Sequence, residues 1–283
     1  LFALRTAQEN LFASHRACQP LGADVPEDAG PHTEYVQSLD RGLAVIRAFS
    51  ARTPRLSIAD VARQTGLTRA AARRFLHTLC GLGYVGVSGG SYYLRPRVLE
   101  LGYAYLSSVS VAEIAQEHLV ALAEELHESC SASVLDGADI VYIARAQTNR
   151  IMTISLTVGT RLPGYPTSMG RVLLAALPDD RLDAFLAGAR LQALTEHTIT
   201  DPQLLRKELE KVREQGWCAI DQELEVGVRS VAVPVRDADG RVVAAVNATA
   251  HAARVPWPRL TEEFLPKLIE TARHINADLA ARR

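Results

Sequence analysis

The chain has 283 residues, 48% hydrophobic and 22% charged, with a formal net charge of −1. That length suits two domains of ~100–200 residues, and the composition suits packed cores rather than a disordered or fibrous chain. No run of ~18 apolar residues is present to span a bilayer, no basic-then-apolar leader opens the sequence, and Cys18, Cys80, Cys130 and Cys218 lack metal-ligand or redox spacing. A cytoplasmic protein without cofactor, metal or membrane association is expected.

The near-neutral total conceals a division. Between residues 35 and 107 stand ten arginines (Arg41, Arg47, Arg52, Arg55, Arg63, Arg69, Arg73, Arg74, Arg95 and Arg97) against three acids (Asp40, Asp60 and Glu100), a net +7, so the rest of the chain carries −8. Such a concentration marks a basic module that meets a polyanion, joined to a module with another task.

Residues 1–34 lack consistent periodicity and end in "PLGADVPEDAGPHTE", a Pro-, Gly- and acid-rich stretch that reads as a linker; they form a flexible or partly helical extension. "VQSLDRGLAVIRAFSA" sets Leu39, Leu43, Ile46 and Phe49 at helical spacing. "SIADVARQTG" begins with Ser57 as N-cap and Asp60 three residues on, close to a capping box, and Gly66 suits the C-terminal end. Thr68 caps a third helix running to about Leu82. "YVGVSGGSYYL" is two short strands around Ser88-Gly89-Gly90. Three helices and a hairpin make a winged helix-turn-helix over 35–95. A linker helix over 96–109 follows, starting near Pro96, and a domain over 110–283 opens with a helix from Ser110.

That second domain alternates strand and helix signals. "SASVLDGADIVYIARA" is two strands about an Asp136-Gly137 turn, "RIMTISLTVG" a third strand, and "TSMGRVLLAALP" a short helix. "DDRLDAFLAG" and "DPQLLRKELEKVREQG" are helices. "WCAIDQEL" and "VRSVAVPVRDADGRVVAAVNATA" supply a strand and a hairpin at Asp239-Gly240, and "LTEEFLPKLIETARHINADLAA" closes the chain as a helix. The fold class is α+β rather than a doubly wound parallel sheet.

The third helix carries the chemistry of the first module. At about 100° per residue, Ala71, Ala72, Phe75, Leu76, Leu79 and Leu82 share one face and Arg69, Ala70, Arg73, Arg74 and His77 the other. A small residue lets the axis approach a surface closely, and arginine forks suit phosphates and the O6/N7 edge of guanine. The N-terminal residues of a recognition helix read bases, which nominates Arg69, Ala70 and Arg73, with Thr68 at the cap and His77 further along the same face. Arg74 lies toward the edge, for a phosphate or a neighbouring acid; Arg95 and Arg97, past the wing, are candidate phosphate contacts.

"SLDRGLAVIRAFS", "LSIADVARQTGLTRAAARRFLHTLCGLGYV", "GTRLPGYPTSMGRVLLA" and "DQELEVGVRSVAVPVRD" resemble the IclR family of bacterial transcription regulators over about residues 35–281. Within the family, "LTRAAARRFLHTL" is similar to the PcaU/PcaR/PobR branch that controls aromatic-acid breakdown. The resemblance implies a GAF- or profilin-like effector domain that binds a small organic acid, and assembly as a dimer or dimer of dimers.

The residues of the second domain fit such a role without dictating it. "LPGYPTSMGRVLLAAL" starts a helix whose first turn offers free N–H groups and the positive dipole end, though a helix end is more often simply capped. The resemblance implies that Ser168 and Met169 offer backbone N–H groups to a carboxylate and that Ser230, Asn247 and Thr249 line the pocket. Those three are polar residues inside apolar strand patterns, and buried polar groups need partners. Tyr142, Met152 and Leu156 are candidates for an apolar wall against an aromatic ring. Glu223 and Glu225 either gate the pocket or bridge to Arg229. No GxSxG or P-loop motif and no HxxxH or HxH pair points to catalysis. The expected function is a ligand-responsive regulator, an activator, that binds a palindromic operator and an aromatic acid such as 4-hydroxybenzoate or protocatechuate. The alternatives are a repressor responding to a non-aromatic acid (β-ketoadipate, pyruvate or glyoxylate) and, more distantly, an enzyme fused to a DNA-binding domain.

Overall fold

A computed structural model describes residues 35–50, 53–108, 110–147 and 156–282, with the side chains of 104–108 and 110 left aside. The chain divides at 108/109 into two compact units.

The first unit is built from α1 (Gln37–Arg47), α2 (Ile58–Thr65), α3 (Arg69–Gly81), the hairpin β1 (Val85–Ser88) and β2 (Ser91–Leu94), a 3-10 turn (Pro96–Val98) and α4 (Leu99–Ser108). Ser57 and Asp60 form a full capping box on α2: Ser57 Oγ accepts from the Asp60 N–H and the Asp60 carboxylate from the Ser57 N–H. These bonds to Ser57 hold the Asp60 carboxyl below its ordinary range, with a smaller contribution from Arg63. Gly66 closes α2 with φ 70°, a left-handed conformation that suits glycine. Gly89 and Gly90 (φ 58° and 77°) make the two-residue turn between Ser88 and Ser91, as the twist of a tight hairpin demands. A bridge between Leu56 and Tyr92 ties the α1–α2 connection to the wing.

Val45, Phe49, Leu56, Val61, Ala72, Leu76, Leu79 and Val85 form this unit's core. Here the helical spacing read from α1 needs correction. Phe49 is buried, but Leu39 and Leu43 are exposed and Val45 is the buried residue of the helix. Ala71 is only half-buried, whereas Ala72 is fully buried.

The second unit contains α5 (Ser110–Leu126), β3 (Ser129–Asp136), β4 (Asp139–Ala146), β5 (Arg161–Pro163), α6 (Ser168–Ala175), α7 (Asp179–Gly188), α8 (Pro202–Gln215), β6 (Cys218–Asp221), β7 (Val228–Arg236), β8 (Val242–His251), α9 (Trp257–Arg259), a π turn (Leu260–Phe264) and α10 (Leu265–Ala281). The six strands form one antiparallel sheet in the order β5-β4-β3-β8-β7-β6. Helices α5 and α10 pack together and against the sheet, while α6 packs on β7, β8 and β3 and is itself covered by α8. All eight residues of α6 are buried. Most of the strand expected over 150–159 lies outside the described residues; its described end, 156–159, is loop and turn, and the regular strand comes later, at Arg161–Pro163.

Candidate functional site

In the first unit, α3 starts at Thr68, whose Oγ1 accepts from the Ala71 N–H at 3.2 Å. Ala72, Leu76 and Leu79 seat the helix on the core. Thr68, Arg69, Ala70, Arg73, Arg74 and His77 are all exposed, as is Arg95. Among the described residues none of Arg69, Arg73, Arg74, His77 and Arg95 has a carboxylate partner; the acid that Arg74 was open to meeting on a neighbouring helix is not there. A groove of about 490 Å3 runs between the first turn of α2, the first turn of α3 and the wing tip, lined by Ser57, Ile58, Ala59, Arg69, Ala70, Arg73 and Gly90. Two helix N-termini and the guanidinium groups of Arg69 and Arg73, neither of which has a carboxylate partner among the described residues, line one concavity; the Asp60 carboxylate at the start of α2 is taken up by Ser57 and Arg63. Arg97 is different. It donates to the Leu82 carbonyl at 3.0 Å and to Glu100 at 3.2 Å, and lies over the Tyr84 ring at 5.4 Å. Those contacts bind the turn after the wing to the end of α3, so Arg97 has partners within the chain where Arg95 has no carboxylate among the described residues, although the Arg97 side chain stays 54% exposed.

In the second unit, the sequence around α6 brings backbones into close approach. A Cβ on Gly170 would stand 2.1 Å from the Gly164 carbonyl oxygen, so only glycine fits where α6 crosses the Gly164 turn. Thr167 Oγ1 accepts from the Gly170 N–H and donates to the Gly164 carbonyl. Among the described residues, no group accepts from the N–H groups of Ser168 and Met169. Both residues are buried, and Ser168 Oγ lies 2.8 Å from Ser230 Oγ.

Register shows which residues share the sheet face beneath α6, because directly opposed residues point the same way. Ser230 opposes Thr249, which opposes Ser129; Ala232 opposes Asn247, which opposes Ser131. Ser133, two residues on, donates to the Met169 sulfur at 3.3 Å. The structure thus brings Ser168, Met169, Ser230, Asn247 and Thr249 together as expected. The sequence reading missed Ser129, Ser131 and Ser133, although serine at every second position of "SCSAS" is a period-two signal for one polar strand face. Ser129, Ser131, Ser133, Ser230 and Asn247 are all buried. Asn247 Nδ2 donates to Thr249 Oγ1 at 3.0 Å, but Asn247 Oδ1 is buried with no partner.

Tyr142, opposite Ser133, is buried on the same face, and burial pushes its phenol up to about 12. Leu156 is buried in the α6-side core, whereas Met152 lies outside the described residues. Arg145, also missed, opposes Ser131 and completes the row Ala232–Asn247–Ser131–Arg145.

The acids after β6 need correction. Glu223 does not reach Arg229. It is buried and forms a two-pronged pair with Arg171 of α6, whose Nε donates to the Tyr165 carbonyl. Arg229 pairs instead with Asp221, at 2.6 and 2.9 Å. Glu225 has a buried, unpartnered Oε2, and burial raises its carboxyl above the ordinary range. The described residues contain no cluster of side chains suited to a metal, and no helix long and apolar enough to cross a membrane.

Comparison with known proteins agrees with both halves. The model of the IclR helix-turn-helix domain matches residues 38–88, and that of the bacterial transcriptional regulator IclR C-terminal domain matches 103–277. The Pca regulon regulatory protein of Pseudomonas putida is 48% identical over 243 residues, covering 86% of this chain and 84% of that protein. A transcriptional regulator from Rhodococcus sp. RHA1, of known crystal structure, is 56% identical with a TM-score of 0.80, covering 88% of this chain and all of that one. The inducer-binding domain of an Acinetobacter PobR transcription factor, a double mutant solved in complex with 3-hydroxybenzoic acid, is 34% identical with a TM-score of 0.56, covering 58% of this chain and 96% of that one.

Proposed function

The chain belongs to the IclR family of bacterial transcriptional regulators, and from that premise we propose that it is an activator of aromatic-acid catabolism genes that responds to a small aromatic carboxylate. The observation that carries the reading is the patch of buried polar side chains beneath α6: Ser168 against Ser230, Asn247 against Thr249, and an Asn247 oxygen with no partner. A buried acceptor left unpaired costs free energy, and a ligand bearing a hydroxyl donor removes that cost. The hydroxybenzoate bound by the PobR inducer domain and the kinship with the Pca regulon protein support an aromatic acid, with 4-hydroxybenzoate or protocatechuate first.

The DNA end of the reading rests on the groove between α2, α3 and the wing. Arg69 and Arg73 read bases across Ala70, while Thr68, Arg74, His77 and Arg95 contact the backbone. A dimer presents two such helices to a palindromic operator, with half-sites about 34 Å apart, one helical turn of DNA. Effector binding shifts the population of DNA-competent states by its differential affinity for them.

Calorimetry of the full chain against a panel of acids tests the effector. Heat from an aromatic carboxylate is expected; heat from β-ketoadipate, pyruvate or glyoxylate alone would move the reading to the non-aromatic alternative. Ser168→Phe sets a bulky apolar ring against Ser230 in place of a hydroxyl 2.8 Å away and is expected to abolish effector binding while operator affinity without effector is kept. A normal response in that variant would remove Ser168 from the site.

A further inference from the structure

Arg145 sits in β4, where regular alternation would not leave it facing α6. Ser133 opposes Tyr142 and Ala132 opposes Ala144, so Ile143 is an extra residue on β4 and the register shifts there. Such a bulge changes which face the following side chains point to. Tyr142 lies on the α6 side before it, and Arg145, opposite Ser131, lies on that same side after it. The rephased backbone is held from behind: Gln116 of α5 accepts from the Arg145 N–H at 3.0 Å and donates to its carbonyl at 3.3 Å.

The guanidinium so aimed has no counter-charge among the described residues. Its Nη1 reaches only Ser131 Oγ, at 3.4 Å, and its Nε is buried with no partner. No carboxylate among the described residues pairs with it, and the stretch 148–155, "TNRIMTIS", contains no acid in its sequence. The groups that act on it electrostatically are the Tyr142 phenol and the Cys130 thiol, both pushed up to about 12 and so neutral at pH 7. Burial lowers Arg145 itself, as expected of a cation removed from water. Asn247 in this row has a neutral partner in Thr249, and Ser131 meets only Arg145; among the described residues the full positive charge has no acid to balance it.

We infer that Arg145 is the residue that holds the effector's acid group, its guanidinium taking the carboxylate, while the ligand's other polar end lies toward Asn247 and Ser230. This rests on the reading of the α6-side face as an effector site. It differs from the family-derived expectation, which sets the carboxylate on the N–H groups of Ser168 and Met169. A helix end supplies roughly half a charge and is screened by its own cap; a guanidinium supplies a whole charge in a fork that fits a carboxylate with two parallel bonds. From β7 to β4 is three strand spacings, about 14 Å. The reach of Arg145 over β3, marked by its contact with Ser131, shortens that span to one an aromatic acid with a polar substituent on the far side of its ring can bridge. The site therefore selects for an acid with a second, uncharged polar end.

The test is calorimetry at pH 7 on the full chain, with 4-hydroxybenzoate and its uncharged amide, 4-hydroxybenzamide, as probes. The wild-type protein is expected to prefer the acid. Arg145→Gln is expected to weaken acid binding on the order of ten- to a hundredfold, the usual range for a charged hydrogen bond, and to bring the acid-to-amide affinity ratio near one. A ratio that stays at its wild-type value in Arg145→Gln overturns the assignment. If that variant does not fold, Arg145→Lys decides. Lysine keeps the charge but loses the fork, so a several-fold weaker affinity for the acid is expected, and an undiminished affinity overturns the inference. No binding of either probe to the wild-type protein sinks the aromatic-effector reading itself, a result distinct from binding that ignores Arg145.

Discussion

The arginines of the two units behave differently. In the first unit Arg69, Arg73, Arg74 and Arg95 are exposed and have no acid partner among the described residues. In the second, Arg161, Arg171, Arg206, Arg213, Arg229, Arg254 and Arg259 each sit on a carboxylate. A charge paired within the chain fixes loops and helices to one another. An exposed charge left unpaired costs the fold little and remains free to meet a phosphate, which is how the same residue type supports DNA binding in one unit and architecture in the other. Each unit also has exceptions, in the first Arg63, which pairs with Asp60 at 2.7 Å, among them. Arg97 is anchored although it lies in the basic module, and Arg145 is uncompensated although it lies in the regulatory one.

The largest effect belongs to the most deeply paired arginine. Arg171 and Glu223 are both buried, and together they fasten the segment after β6 to α6, with the Thr195 and Thr198 hydroxyls donating to the Glu223 carbonyl. Arg171→Ala leaves Glu223 buried without its partner, and a loss of about 3–5 kcal/mol is expected in chemical denaturation. The double variant Arg171→Met/Glu223→Leu should recover most of that loss, because it removes both charges. A single variant as stable as the wild type would show that the pair holds nothing together.

Arg73→Ala tests the other side of the contrast. With no internal partner to lose, its stability should change by less than about 0.5 kcal/mol. Its specific operator affinity should fall by about 1–3 kcal/mol, the worth of one base contact. Arg97→Ala should do the reverse, sparing base specificity and loosening the wing. Gel-shift titrations at two salt concentrations, run beside thermal melts, check both. Unchanged operator affinity for Arg73→Ala would remove that residue from the interface.

What the sequence revealed and what it hid follow the same divide. The capping box at Ser57 and Asp60, the Thr68 cap and the Gly89-Gly90 turn are local, each set by residues within four positions of one another, and the exposed basic face of α3 repeats within one helix; all are visible in the sequence. The site residues Ser230, Asn247 and Thr249 were marked by polarity inside apolar strands. The Arg171–Glu223 pair joins residues 52 apart, and nothing in either neighbourhood names the other. Arg145 was hidden for a sharper reason: in an unbulged strand the alternation from Tyr142 would point it away from α6, and only the extra Ile143 reverses that. Leu39 and Leu43 mark the opposite error. Their spacing is that of a buried stripe, yet only its later members, Ile46 and Phe49, reach the core beside Val45, and Leu39 and Leu43 stay exposed.

The smallest effects concern two carboxyls four residues apart whose ionisation is shifted in opposite directions. Bonds from Arg229 hold Asp221 below its ordinary 3.8, while burial raises Glu225 above its ordinary 4.5. For Asp221 the folded state binds the proton less tightly than the unfolded chain does. Its contribution is therefore complete above pH 3.8 and is lost as pH falls through the lower folded value. The pair is partly exposed, with 38% of the Asp221 side chain accessible, so solvent screening keeps the contribution under about 1 kcal/mol. For Glu225 the sign reverses: its ionisation opposes folding, and the cost grows as pH rises from 4.5 through the folded value. Asp221→Asn should thus be less stable than the wild type at pH 7, with the difference closing in acid. Glu225→Gln should be slightly more stable at pH 7 and indistinguishable below pH 4.5. Melts of both variants across pH 3–8 read the two signs directly. A Glu225→Gln variant that loses stability at neutral pH would mean that the buried carboxylate has a partner and that its environment is the opposite of the one described.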